Sequence, residues 1–148
     1  MGLLDGDAEE PNAKLRRYIV SGMAFALLVW LGAWWALRFH TEKQTVESFL
    51  NAVVAGDTQR AYQIWQPQPS YSYQEFLADW GPRGLNGPVK SYRIETAQQP
   101  NNGSGVIVVV ALSPDEKFPD SKDTQKMNKL KEVRLWVERR DQSISYAP

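Results

Sequence analysis

The chain has 148 residues, 17 Lys+Arg balanced by 17 Asp+Glu, a single His and no Cys. That length allows one modest domain plus an appendage. The missing Cys excludes disulfides, thiolate metal sites and a Cys nucleophile. Neutral charge argues against an electrostatic nucleic-acid binder, and one His leaves little for metal or acid–base chemistry, so no cofactor is implied.

The first 17 residues open with MGLLDGDAEEPNA, acidic and turn-rich, which predicts a disordered tail. Gly6 stands where a myristoylation start requires Ser or Thr, so that signal is absent. Residues 18–38 hold an uncharged run, YIVSGMAFALLVWLGAWWAL. As a helix of twenty residues it reaches roughly 30 Å, the thickness of a bilayer's hydrocarbon core. Tyr18 at one end and Trp34 and Trp35 at the other suit the two membrane interfaces. A buried core helix is usually shorter and rarely apolar all round. A cleaved signal would end in small residues, not in two Trp. The expectation is therefore a retained transmembrane helix with the lipid bilayer as its partner. Gly22/Ala26 and Gly32/Ala36 are small-residue pairs of the kind that permits close helix contact, though they are common in such helices. Lys14, Arg16 and Arg17 before the span outnumber Arg38 and Lys43 after it, a mild bias toward a cytoplasmic N-terminus. In a bacterium this implies an inner-membrane protein with a periplasmic or extracellular C-terminal domain.

Residues 41–148 carry thirteen basic and thirteen acidic side chains, so the neutrality is not an average of opposed halves. Val46, Phe49, Leu50, Val53 and Val54 recur at helical spacing. Gly56 can end that helix in the left-handed region and Asp57 can cap the next, whose Ala61, Ile64 and Trp65 share a side. Ser72 and Glu75 form a capping box opening a third helix with Tyr73, Phe76, Leu77 and Trp80 on one face. GPRGLNGP (81–88) reads as a loop. VKSYRIET (89–96) predicts a strand with Tyr92 and Ile94 on one face. The β-branched VIVVVAL (106–112) predicts a central strand buried on both faces, and Asn102-Gly103 marks the hairpin between them. Residues 113–128 read as a long loop. LKEVRLWVER (130–139) alternates, with Val133, Leu135 and Val137 inward and Arg134, Trp136 and Glu138 outward, and SISYA (143–147) is a short last strand. Helices followed by antiparallel strands define an α+β domain.

The stretch VESFLNAVVAGDTQRAYQIW resembles the opening of the nuclear transport factor 2-like (cystatin-like) superfamily. There a helix with a Phe-Leu pair leads through Gly-Asp into a second helix with Ala-Tyr. The matching positions are Phe49, Leu50, Gly56, Asp57, Ala61 and Tyr62. The whole sequence is also similar to small single-pass bacterial membrane proteins with such a domain outside the membrane. The resemblance implies a cone of three helices on a curved sheet of four strands over residues 41–148. The superfamily includes dehydratases and isomerases as well as non-catalytic binding and assembly domains, so it assigns no chemistry by itself.

Members resembling scytalone dehydratase need a pocket His, and none lies beyond His40. Members resembling ketosteroid isomerase pair an Asp base with a Tyr or Asp. Asp79 beside Trp80, with Tyr62, Tyr73 or Tyr92, is one such set, but Asp79 falls on the polar side of its helix and aromatics at helical spacing are core far more often than catalytic. Asp115, Glu116, Asp120 and Asp123 lack the order of a calcium loop. The Lys/Arg excess in residues 117–140 suits an acidic partner or lipid headgroups, or serves only to keep an edge soluble. Asn102-Gly103-Ser104 matches a glycosylation sequon, which its turn role already explains. The reading is a non-catalytic, membrane-tethered interaction or accessory domain, with no catalytic or metal residues, partnered by another membrane protein or complex. Its candidate surface is Arg134, Trp136, Arg139 and Arg140. The alternative is a small-molecule site, or weak isomerase or hydratase activity, in a cavity lined by Phe49, Tyr62, Trp65 and Trp80.

Overall fold

The computed structural model describes residues 11–65 and 69–148, with the backbone alone described at Pro11. The chain divides into two units, Met1–Arg38 and Phe39–Pro148.

The first unit is one helix, α1 (Pro11–Leu37), 27 residues long, or roughly 40 Å at 1.5 Å per residue. It is long and apolar enough to cross a membrane, with a mean hydropathy of 1.8 in its most apolar window. None of that window is buried. The helix begins earlier than expected, so residues 11–17 are helical and do not belong to the acidic tail. Proline is tolerated in a first helical turn, and Ala13, Lys14, Leu15, Arg16 and Arg17 are all strong helix formers. The remainder of the expected tail, residues 1–10, lies outside the described residues.

The second unit is α+β. Its helices are α2 (His40–Val54), α3 (Thr58–Trp65) and α4 (Tyr73–Trp80). Val46, Phe49 and Leu50 of α2 are buried as the periodicity requires, but Val54 is exposed and Ala52 is buried in its place. The helix ends in a tight double bond: Asp57 N–H donates to Ala52 O and Gly56 N–H to Val53 O, with Gly56 at φ +75°. That is the left-handed termination glycine permits. Asp57 Oδ1 then accepts from Arg60 N–H, 3.1 Å away, starting α3. Ser72 and Glu75 cap α4 reciprocally, and these hydrogen bonds hold the exposed Glu75 carboxyl below its usual range.

The four strands are β1 (Ser91–Gln98), β2 (Gly105–Ser113), β3 (Lys131–Glu138) and β4 (Ile144–Tyr146). They form one open antiparallel sheet in the order β1-β2-β3-β4. Representative pairs are Tyr92↔Leu112, Val108↔Leu135 and Val137↔Ile144, with a bulge in β1 between Ile94 and Thr96. Asn102, at φ 60°, turns the first hairpin. One sheet face supplies Val106, Val108, Val110, Leu112, Leu135, Val137 and Ile144 to a core shared with all three helices.

The opposite face corrects the expectation of a strand buried on both sides. Ile107 and Val109 are only half-buried, because the helices cover the other face. Burial returns at one end, at Ala111 and Ser113. There the loop after β2 places Phe118 beneath Arg93, whose guanidinium lies 4.5 Å from the ring centroid. That loop also holds an unexpected one-turn helix, α5 (Thr124–Met127), capped by Asp123 through Lys126 N–H.

Candidate functional site

The four residues proposed to line a cavity are held by all three helices, and the space between them is filled by their own rings. Phe49 lies 5.2 Å from Trp65 and 4.9 Å from Trp80 between centroids, the latter edge-on. Trp65 and Trp80 are 5.7 Å apart, and Phe76 packs against Phe49, Trp65 and Tyr62. These are the offset and edge-to-face spacings of a packed aromatic core. Phe49, Trp65 and Trp80 are buried.

At the rim of this core is a polar cluster whose members the sequence left scattered. Tyr71 donates to Asp79 Oδ2 at 2.6 Å. Asn86 Nδ2 donates to the Tyr146 hydroxyl at 2.9 Å, and the Tyr146 ring stacks on Trp80, 6.2 Å away and 9° from parallel. Asp79 is thus half-buried and bonded, not merely set on a polar helix face. Its partner is none of the three tyrosines considered. Tyr62 donates to Tyr71 O, Tyr92 to Asn51 Oδ1, and the Tyr73 hydroxyl bonds Thr58.

Burial first, then the bond to Asp79 and its charge, push the Tyr71 phenol far above its ordinary value. Burial, followed by the Asp79 charge, raises Tyr146 to about 12, with Asn86 and Trp80 opposing. Because the folded state retains protons that the unfolded chain releases above about pH 10, stability is full below pH 10 and falls as pH rises toward 12. Tyr146 is 41% exposed, so solvent screening moderates the fall. The urea midpoint of the detergent-solubilised chain is expected to drop between about pH 10 and pH 12, and Tyr146→Phe to flatten the drop. An equally steep drop in Tyr146→Phe would show that Tyr146 is not its source.

The expected surface residues separate into two groups. Arg134 and Trp136 lie on the open sheet face. Arg134 is exposed and pairs with Glu132 at 3.5 Å. Trp136 is half-buried over Gly105, where a side-chain carbon would come within 2.6 Å of its ring. Its Nε1–H reaches Glu138 at 3.4 Å. Arg139 and Arg140 belong instead to the turn before β4. Arg139 is exposed on one side but is also engaged within the unit, bonding the buried Glu42 at 3.0 Å and lying over Phe39. Arg140 is exposed. On α1, Tyr18, Trp34 and Trp35 are all exposed, with Arg38 over the Trp34 ring.

No cluster of three or more His, Cys, Asp or Glu suited to a metal occurs among the described residues. Of the acidic loop residues, Asp123 is used in capping α5 and pairing with Lys126. Comparison with protein-family models, curated proteins and solved structures finds no match for this chain.

Sequence reasoning reached Asp79 but missed Tyr71, Asn86 and Tyr146. The three come from a loop before α4, the loop after it and the last strand, and no local motif links them.

Proposed function

We propose that this chain is a membrane-anchored, non-catalytic interaction or accessory domain, a small subunit or assembly partner of a membrane protein complex. The observation that carries the reading is the half-covered sheet. Its helix-free face presents Ile107, Val109 and Trp136 among Glu132, Arg134 and Glu138. An aromatic and aliphatic centre ringed by charge is the composition of a protein interface. In the same reading the second unit is a nuclear transport factor 2-like cone. Helix α1 anchors it in a bacterial inner membrane, with its N-terminus cytoplasmic and the domain periplasmic or extracellular. Catalysis in the cone, or binding of a small molecule there, would need the space that Phe49, Trp65, Phe76 and Trp80 occupy.

The test is purification of the full chain from native membranes in mild detergent. A specific membrane protein is expected to accompany it, and to be lost in Val109→Lys and in Arg134→Glu, which alter the open face without touching the core. A chain recovered only as a free monomer would overturn the reading. Topology is checked separately, and the lack of Cys makes this simple. Gln125→Cys is expected to react with a membrane-impermeant maleimide from outside the inner membrane, and Asn12→Cys only after lysis. The reverse pattern would invert the orientation.

A further inference from the structure

At the end of the second unit where the loop after α4 meets the start of β3 there is a cleft of about 130 Å³. Asn86, Pro88, Leu112, Pro114, Lys129 and Lys131 line it. At ~30 Å³ per water, that is room for about four waters, the size of a carboxylate group with its first methylenes.

The cleft is built from fixed parts. The loop above it is tied to α4 by Leu85 N–H to Ala78 O and Asn86 N–H to Asp79 O, both 2.8 Å. Asn86 is 8% exposed, and its amide is held by Tyr146. The turn after α5, closed by Lys129 N–H to Lys126 O, delivers Lys129 and Lys131 two residues apart. Lys131 Nζ donates to Leu85 O at 2.7 Å, which fixes the ammonium and leaves two of its three protons unused. Lys129 has no ion-pair partner among the described residues, and no acidic residue lines the cleft. Lys129 and Lys131 thus line, with no acidic neighbour among the lining residues, an opening whose other walls include Pro88, Leu112 and Pro114.

We infer that this cleft binds a carboxylate carried on a short aliphatic stem, with the oxygens on Lys129 and Lys131 and the methylenes against Pro88, Leu112 and Pro114. Two ammonium point charges between apolar walls suit this ligand better than phosphate, for which a guanidinium fork or converging backbone N–H groups would be the fitting donors. The carboxylate belongs either to a free short-chain acid or to an acidic side chain of a protein. The site is independent of the open sheet face, so neither stands or falls with the other.

The experiment is an amide and side-chain NMR titration of the full chain in detergent micelles, with butyrate in one arm and N-acetylglutamate N-methylamide in the other. Saturable shifts are expected at the Asn86 side-chain amide, Gly87, Leu112 and Lys131. The Trp80 indole, stacked on the Tyr146 ring, reports on the same binding event. Saturation with butyrate alone assigns the site to a free acid, whereas saturation with the blocked glutamate assigns it to a protein side chain. Lys129→Gln and Lys131→Gln should each weaken binding about fivefold, and arginine at either position should restore it. Lys122→Gln, an exposed lysine elsewhere on the loop, should leave binding unchanged. Shifts that rise without saturating, spread over every surface lysine, or persist in Lys129→Gln/Lys131→Gln with a native spectrum would overturn the assignment.

Discussion

Phe49→Ala is expected to remove about 3–5 kcal/mol of stability from the folded domain. The ring is fully buried and touches Trp65, Phe76 and Trp80 at once, the last edge-on at 4.9 Å. Deleting it forfeits the apolar transfer term and leaves a hole bounded by three rigid aromatic rings that cannot collapse into it. A domain of this size has ~5–15 kcal/mol in total, so the variant sits near the unfolding threshold. Urea denaturation of the detergent-solubilised chain, followed by near-ultraviolet circular dichroism, reads both the loss and the loosened aromatic packing. A cost below about 1 kcal/mol would mean that the ring cluster does not organise the core.

The second large effect is at the other end of the unit. Arg139→Ala strands the Glu42 carboxylate, whose side chain is 8% exposed and whose ion-pair partner is the Arg139 guanidinium at 3.0 Å. Removing one partner of a buried pair costs about 3–5 kcal/mol when both are buried. Arg139 is 38% exposed, and the expected loss is accordingly about 2–3 kcal/mol. The diagnostic result is non-additivity. Glu42→Gln combined with Arg139→Ala should be more stable than Arg139→Ala alone, because the buried charge is gone. Equal stabilities for the two variants would place the effect in the lost contact with Phe39 instead.

Much of the architecture was legible because local signals agreed with one another. The Ser72/Glu75 capping box, Gly56 in the left-handed region, Asn102-Gly103 at the hairpin and the alternation of residues 130–139 each depend on neighbours a few residues away. What failed depended on distant neighbours. The VIVVVAL run carries no mark of how many helices a sheet receives, and only one face is covered. Val54 satisfies the helical period, yet it falls at the last turn of α2, where the core has ended. Arg139 is exposed, as a charged turn residue usually is, but its ion pair was not legible, because Glu42 is 97 positions earlier. Tyr71, Asn86 and Tyr146 gather around Asp79 and Trp80 through loop geometry that no periodicity encodes. The aromatic residues expected to line a cavity lie together. Whether a cluster of rings encloses space or fills it is set by side-chain packing, which composition does not carry.

The bonds between α2 and the turn before β4 also have a mechanical meaning. A load drawn through the chain from Arg38 enters the folded unit at Phe39 and His40, the first turn of α2. Within one further turn it meets Glu42 held by Arg139 and Thr45 Oγ1 donating to Gln142 at 2.8 Å. Such a load therefore passes from the first turns of α2 into the turn that joins β3 to β4. The two staples make the end of the unit next to Arg38 its reinforced end.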